Sequence, residues 1–128
     1  MAADKVLMSI VELGGYPDFT PVYEQSGYRV ITVRTVRKAI QALKKETPQA
    51  IVAEFNFQSD FRDRTSSLES LLAVVERMPE CKVVVFYEQE YRHQLQRLCQ
   101  QYNFHAMLPF PVDTGQLTTA LSKPLELA

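Results

Sequence analysis

Glu54 is the residue of this chain best placed for chemistry. It closes the apolar run Ala50-Ile51-Val52-Ala53, which is typical of a parallel strand buried on both faces. Open α/β sheets bind ligands or carry out reactions at the carboxyl ends of such strands. The carboxylate at this place is therefore the first candidate for a functional group.

Histidine and cysteine offer no second site. His93 and His105 are far apart in sequence, and neither has a carboxylate or thiol at metal-ligand spacing. Cys81 and Cys99 are too few and too unpatterned for a disulfide framework or a zinc site, so reduced thiols are expected. We expect His105 to be an exposed residue near the start of the last strand and Cys99 to lie in the core. No catalytic residue, metal or cofactor is predicted, and the chain is not expected to be an enzyme.

The composition predicts one globular domain. The chain has 128 residues, of which 46% are hydrophobic and 23% charged, so residues 1–128 can bury a core without disulfides or metal. The net charge of −1 predicts no general attraction to nucleic acid or to anionic membranes. No apolar stretch approaches the ~20 residues that cross a bilayer, and the N-terminus lacks a signal-peptide pattern. We therefore expect a cytoplasmic protein, whether this is the whole chain or the first domain of a longer one.

Basic residues are unevenly distributed along the chain. Six of them surround the predicted second strand and second helix: Arg29, Arg34, Arg37, Lys38, Lys44 and Lys45. Nucleic-acid recognition would favour interleaved aromatic residues or a recognition motif, and neither is present. A solvated face is the expected role of this group.

Hydrophobic periodicity divides the chain into alternating strands and helices. The predicted strands are residues 6–11, 28–33, 50–55, 82–87 and 106–110. The predicted helices are residues 20–25, 36 to about 46, 68 to about 78, 90–102 and a last helix that Asp113 or Thr114 can cap. Residues 56–64 are predicted to form a long loop, and Ser66 and Glu69 have the spacing of a capping box.

Five β-α units with short connections predict an α/β fold. Each β-α-β unit requires a right-handed crossover, which makes the strands parallel and puts helices on both faces. The predicted architecture is a flavodoxin-like, doubly wound, five-stranded parallel sheet with strand order 2-1-3-4-5.

The stretch from Gly27 to Glu54 resembles the receiver domains of bacterial two-component response regulators. The likeness is carried by Gly27-Tyr28-Arg29-Val30-Ile31-Thr32-Val33, by Ala39-Ile40, and by Lys44-Lys45-Glu46-Thr47-Pro48-Gln49-Ala50-Ile51-Val52-Ala53-Glu54. A second likeness runs from Asn103 to Leu117. The resemblance implies that the first stretch is strand two, helix two and strand three of the family. It also implies that Glu54 stands at the position of the phosphorylated aspartate.

The metal-binding positions of the family are changed in this chain. Its paired metal-binding acids fall on Ile10 and Val11, with Glu12 just after them. Magnesium requires hard oxygen ligands, and the side chains of Ile10 and Val11 offer none. Glu12 would replace them only if the alignment slipped by two positions, which would also turn its side chain to a different face. We therefore predict no metal site here.

The remaining positions of a receiver site are changed as well. The resemblance places the family's hydroxyl residue near Tyr87, its lysine on Phe110 and its cis-linked proline on Pro111. Phe110 cannot contact a phosphoryl group as a lysine does, and the extra methylene of Glu54 moves its oxygens outward. We predict an inactive site and a cis Phe110–Pro111 bond that turns the chain after strand five.

Two roles for Glu54 are compatible with these changes. It either mimics a phosphorylated aspartate, because its charge is permanent and reaches further, or is a solvated acid at a strand end with no partner. We expect the solvated acid, because the family's lysine and metal ligands are missing. Phe86, Tyr87 and Tyr91 crowd the end of strand four, where they either fill the space of the lost site or form a binding surface; the sequence leaves both open.

A scaffold pattern with a dismantled site predicts a phosphorylation-independent signalling or adaptor domain that acts through protein–protein interaction. The resemblance implies that protein partners, or a second copy of the chain, bind the face formed by helix four, strand five and helix five. The exposed residues expected there are Arg92, Gln96, Gln100, Gln116 and Thr119. The alternative is a small-molecule-sensing domain that uses a pocket at the strand carboxyl ends, with Phe57 and Phe61 of loop 56–64 on its lid.

Overall fold

Five parallel strands form one sheet in the order β2-β1-β3-β4-β5. The computed structural model describes residues 5–55, 68–78, 80–102 and 105–122. The strands are β1 Lys5–Ile10, β2 Tyr28–Val33, β3 Ala50–Phe55, β4 Lys82–Tyr87 and β5 Ala106–Pro109. The helices of the described residues are α1 Thr20–Gln25, α2 Val36–Ala42, α3 Leu68–Val75, α4 Arg92–Cys99 and α5 Thr114–Ser122, and a 3-10 turn, Gln89–Tyr91, precedes α4.

The predicted fold class and strand order are confirmed; β1 differs from its predicted bounds by one residue at each end and β5 by one residue at its carboxyl end, and the larger differences lie at helix ends. The predicted second helix is shorter than expected, because α2 ends at Ala42 and residues 43–45 continue as turns. The predicted fourth helix divides into the 3-10 turn and α4. The predicted loop 56–64 and Ser66 of the capping box lie outside the described residues. None of the described helices is long and apolar enough to cross a membrane.

The sheet separates two hydrophobic cores. Successive side chains of a strand point to opposite faces, and all six residues of β3 are buried. Ile51, Ala53 and Phe55 belong to the core beneath α2, α3 and α4. Ala50 and Val52 belong to the core beneath α1 and α5. By this alternation Glu54 lies on the α1/α5 face, at the carboxyl edge of the central strand.

Short polar side chains fix where the helices around this edge begin. The Thr35 hydroxyl accepts a hydrogen bond from the backbone N–H of Lys38 at 3.0 Å and so caps α2. Asp113 Oδ1 accepts from the N–H groups of Gly115 at 2.7 Å and Gln116 at 3.1 Å. Of the two predicted capping residues for the last helix, Asp113 is therefore the one that contacts its first turn.

Candidate functional site

Glu54 is buried, so the prediction of a solvated acid is wrong. Its side chain is only 3% exposed, although it ends the strand. The cause is the connection between β1 and α1, which folds over the carboxyl edge of β3 and places its backbone against the carboxylate. A charged group that is removed from water must be compensated by hydrogen bonds or by an opposite charge.

The compensation comes from four hydrogen-bond donors of the β1–α1 loop. Glu54 Oε1 accepts from the backbone N–H of Leu13 at 2.9 Å. Glu54 Oε2 accepts from the N–H groups of Glu12 at 3.2 Å and Gly14 at 3.3 Å. The hydroxyl of Tyr16 donates to the same oxygen at 2.5 Å. We call the three N–H groups and the Tyr16 hydroxyl the carboxylate nest.

Two glycines give the loop the shape that the carboxylate nest requires. Gly14 and Gly15 have φ angles of +68° and +83°, in the left-handed region that favours glycine. The turn there brings three successive N–H groups to one side of the backbone. Such concave arrays of N–H groups carry partial positive charge and bind anions. In this chain the anion is the chain's own Glu54.

Tyr16 connects the carboxylate nest to an aromatic cluster. Burial, together with the hydrogen bond to Glu54, raises the pKa of the Tyr16 phenol above its usual range, so the hydroxyl stays a donor. The Tyr16 ring lies 6.0 Å from Phe19 and 5.5 Å from Phe86 and Phe110, measured between ring centroids. These rings fill the volume beside Glu54 on the α1/α5 face.

The aromatic residues that end β4 are interior. Phe86 is fully buried within the aromatic cluster, and Tyr87 is buried on the opposite face, in the core beneath α2 to α4. Tyr91 is half-buried and packs against that same core. The sequence left open whether these residues fill space or form a binding surface. Because Phe86 and Tyr87 are buried, they fill space.

The positions of the family's metal-binding acids have structural roles here. Ile10 is buried in the core beneath α2 to α4. The Val11 N–H donates to Val33 O at 2.9 Å, which extends the β1–β2 pairing by one residue. Glu12 is exposed, and its Oε2 accepts from the Val36 N–H at 3.3 Å, at the start of α2. Within residues 5–55, 68–78, 80–102 and 105–122, no group of three or more His, Cys, Asp or Glu side chains is arranged to hold a metal ion.

Phe110 and Pro111 close the site on the β5 side. The Phe110–Pro111 bond is cis, as the resemblance implied. The Phe110 N–H donates to Tyr87 O at 2.9 Å and its half-buried ring joins the aromatic cluster. Where the family carries a lysine, this chain therefore places an apolar ring.

The placement of His105 differs from the prediction, and the two cysteines are buried to different degrees. His105 is half-buried rather than exposed, because α5 folds back along β5 and brings Ala120 O within 2.7 Å of His105 Nε2. Cys99 is half-buried, with its Sγ 3.2 Å from Met107 Sδ, and burial raises the pKa of its thiol. Cys81 is buried, and that burial raises the pKa of its thiol to about 12.

Sequence reasoning missed the carboxylate nest and Tyr16. The available signal was the Gly14-Gly15 pair just after the first strand, which indicates a turn with positive φ angles. Nothing in the residue types shows that the N–H groups of this turn point at Glu54, about forty residues later in the chain.

Solved structures with the same fold include receiver domains. A response regulator receiver domain protein from Clostridium thermocellum is 11% identical, with a TM-score of 0.71 over 91% of this chain and 90% of that chain. The N-terminal signal receiver domain of a two-component system response regulator from Bacteroides fragilis is 19% identical, with a TM-score of 0.68 over 92% and 94%. The signal receiver domain of a putative Luxo repressor protein from Vibrio parahaemolyticus is 20% identical, with a TM-score of 0.66 over 92% and 88%.

The likeness to these structures is one of fold, since their sequence identity to this chain is only 11–20%. No protein-family model matches the chain, and no curated protein matches it in sequence. At these identities the solved structures show that the chain has the receiver fold, and its chemistry has to be argued from its own site.

Proposed function

We propose that this receiver-like domain signals without being phosphorylated and acts as an adaptor through protein–protein contacts. The observation that carries this proposal is the engagement of Glu54. Both carboxylate oxygens already accept hydrogen bonds from the β1–α1 loop, and the side chain is 3% exposed.

Phosphoryl transfer to a carboxylate has requirements that these residues do not meet. One oxygen must approach the phosphorus atom, and positive charge must stabilise the phosphoryl oxygens. Divalent cations in such sites are held by carboxylate or carbonyl oxygens, whereas Ile10 and Val11 present aliphatic side chains. Phe110 brings no charge to the β5 side of the site.

Glu54 instead gives the β1–α1 loop a permanent anionic partner. In a phosphorylation switch the negative charge comes and goes, and the loops that contact it order and relax accordingly. Here the charge is part of the chain, so we infer that the loop is held in one arrangement. The role of Glu54 is then structural: it fixes the loop as a modification would, without the modification.

The chemical part of the proposal is tested with a small phosphodonor. The protein is incubated with acetyl phosphate and Mg²⁺ and followed by intact mass spectrometry, with a phosphorylatable receiver as positive control. We expect no gain of a phosphoryl group. Stoichiometric labelling that disappears in Glu54→Gln would overturn the proposal, because Glu54 would then be an accessible nucleophile.

The surface proposed for partners is the face formed by α4, β5 and α5. β5 is an edge strand, with α4 on one face of the sheet and α5 on the other. The residues expected to be exposed there are exposed: Arg92, Gln96, Gln100, Gln116 and Thr119. A groove of about 530 Å³ runs along α5 beside the start of β5 and is lined by Gln116 and Thr119 together with His105 and Asp113.

The first contact to test is a homodimer formed through the α4–β5–α5 face. Sedimentation velocity over a concentration series measures the dimer fraction. We expect Gln96→Arg with Thr119→Arg to abolish a dimer formed through this face, because two copies would then bring added like charges together. Gln25→Arg with Gln41→Arg, on exposed positions of α1 and α2, is the charge-matched control and should leave dimerisation unchanged. Equal effects of both pairs would exclude this face.

The alternative, a small-molecule sensor at the strand carboxyl ends, has less support. On the α1/α5 face that volume is filled by the aromatic rings of Tyr16, Phe19, Phe86 and Phe110, and Glu54 is occupied by the carboxylate nest. A thermal-shift screen against nucleotides and metabolites tests it, since a ligand that binds the folded state alone raises the melting temperature. The proposed adaptor would act in the bacterial cytoplasm, where thiols such as Cys81 stay reduced.

A further inference from the structure

The outer edge of β2 carries hydrogen-bonding groups to which the described part of the chain offers no partner strand. β2 pairs with β1 along its whole length, and no strand of the described part of the chain pairs with its other side. Val33 O accepts from the Val11 N–H, so the polar groups of Val33 point toward β1. Because these groups alternate in direction along a strand, those of Val30 and Thr32 point to the free edge. Such an edge is a template for another strand.

A second, independent observation is the charge of this edge. Residues 28–46 contain six basic residues and one acid, so these 19 residues carry +5 while the remaining 109 carry −6. All six basic side chains are exposed: Arg29, Arg34, Arg37, Lys38, Lys44 and Lys45. The single acid, Glu46, lies 3.9 Å from Arg29 with both side chains well exposed, at 41% and 54%, so this pair neutralises little.

The basic residues form two groups that bracket the strand. α2 runs back along β2, since Arg29 at the start of β2 contacts Glu46 just after α2. Lys44 and Lys45 therefore lie near Arg29 at one end. Arg37 and Lys38, at the beginning of α2, lie with Arg34 just beyond the other end. Arg29 and Arg34 are five residues apart, roughly 17 Å along an extended strand.

Charged residues on an edge strand often only prevent unwanted pairing. Charges of either sign would serve that purpose, whereas here six basic residues stand against one acid. Two copies of this edge would bring Arg29 and Arg34 of each copy together, so the charge opposes self-pairing. It is complementary to an acidic segment.

We propose that the free edge of β2 takes up an extended acidic segment of a partner protein as a sixth strand. The backbone groups of Val30 and Thr32 would pair with it, and acids at its two ends would contact the two basic groups. This surface lies at the opposite edge of the sheet from β5, so the inference is independent of the adaptor face proposed above.

The probe is a capped synthetic octapeptide, Glu-Asp-Val-Thr-Val-Thr-Asp-Glu, titrated into the ¹⁵N-labelled protein at low salt. We expect the amide signals of Val30 and Thr32 to shift and to gain protection from hydrogen exchange. Binding should weaken as salt increases, since the end contacts are electrostatic. A peptide with Lys in place of every acid should not bind. Absence of binding at millimolar peptide, or shifts that map to another surface, would overturn the inference.

Backbone methylation separates strand pairing from plain charge attraction. Two further peptides carry N-methyl groups on alternate residues, one on the odd positions and one on the even positions. Only one set of N–H groups can face β2, so one methylated peptide should bind at least tenfold more weakly while the other binds as the parent. Equal affinity of both peptides would refute strand addition.

Charge variants give the second test. Arg29→Gln with Arg34→Gln should weaken parent-peptide binding at least tenfold. Arg77→Gln with Arg97→Gln, at exposed positions of other elements, is the matched control and should leave binding within twofold. Melting curves establish that each variant is folded. An equal loss in both double variants would exclude the β2 edge as the site.

Discussion

Replacing Glu54 by Gln tests whether the carboxylate holds the β1–α1 loop. Gln keeps the shape of the side chain and one acceptor oxygen but loses the charge and gains an NH₂ group. That oxygen is best placed at the Oε2 position, where it retains the donors Glu12, Gly14 and Tyr16. The new NH₂ group then faces the Leu13 N–H, which stands 2.9 Å from Oε1 in the native chain. A donor would meet a donor.

The magnitude follows from this geometry. Hydrogen bonds to a charged group contribute about 1.5–3 kcal/mol each, and neutral ones about 1 kcal/mol. Glu54→Gln removes one charged bond and weakens the others, whereas a neutral amide is less costly to bury than a carboxylate. We expect a net loss of about 3 kcal/mol in the free energy of unfolding. For a domain of this size that corresponds to a melting temperature lower by about 10 °C.

Urea denaturation measures the loss, and hydrogen exchange locates it. In Glu54→Gln the amide of Leu13, whose acceptor oxygen is replaced, should lose protection, while those in the middle of β1 should remain protected. Glu24→Gln, an exposed acid on α1, is the control and should change stability by less than ~0.5 kcal/mol. Unchanged exchange of the loop amides, or equal stability of both variants, would refute the carboxylate nest.

Three further outcomes are expected. Burial raises the pKa values of Tyr16 and Tyr23 above 10.0, so the folded state keeps protons that the unfolded state releases. Stability should fall above pH ~10 by about 1.4 kcal/mol per pH unit for each tyrosine, and Tyr16→Phe should reduce the total slope by one such contribution in urea titrations. Thr35→Ala removes the cap of α2 and should cost about 1 kcal/mol in the same assay. With a thiol reagent at pH ~8, Cys81 should react far more slowly in the native protein than in urea, whereas Cys99→Ala should not change its rate.

Each of these outcomes has a contrary result. If the free energy of unfolding falls as steeply with alkaline pH in Tyr16→Phe as in the native protein, the Tyr16 phenol ionises equally in the folded and unfolded states. A Thr35→Ser variant that is as unstable as Thr35→Ala would show that the methyl group, and not the hydroxyl, matters. Rapid native labelling of Cys81 would contradict its burial beneath the sheet.

The strands were predictable because their signals are local. β2, β3 and β4 are runs of apolar and β-branched residues bounded by Gly or Pro, and their predicted bounds coincide with those observed. Helix ends were less predictable, because a helix stops where its last turn gains no tertiary contact. Lys44 and Lys45 continue the helical pattern of α2 but are exposed, and the chain there forms turns instead.

The state of Glu54 was not predictable for a different reason. Residue types at the receiver positions show which side-chain partners of the acid are missing. Ile10 and Val11 stand in place of the metal-binding acids, and Phe110 stands in place of the lysine. The donors that Glu54 contacts are backbone N–H groups, which almost every residue possesses. Their arrangement depends on how a loop closes over a strand some forty residues away. Only the three-dimensional structure contains that information.

Because its anion is part of the chain, the carboxylate nest is insensitive to the concentration of free anions. A diffusible anion occupies such a site in proportion to its abundance, but a carboxylate on the same chain is always present at a high effective concentration. Phosphate, acetate or other small anions in the cell therefore compete poorly for these N–H groups. The order of the β1–α1 loop then varies with the stability of the fold and not with metabolite levels.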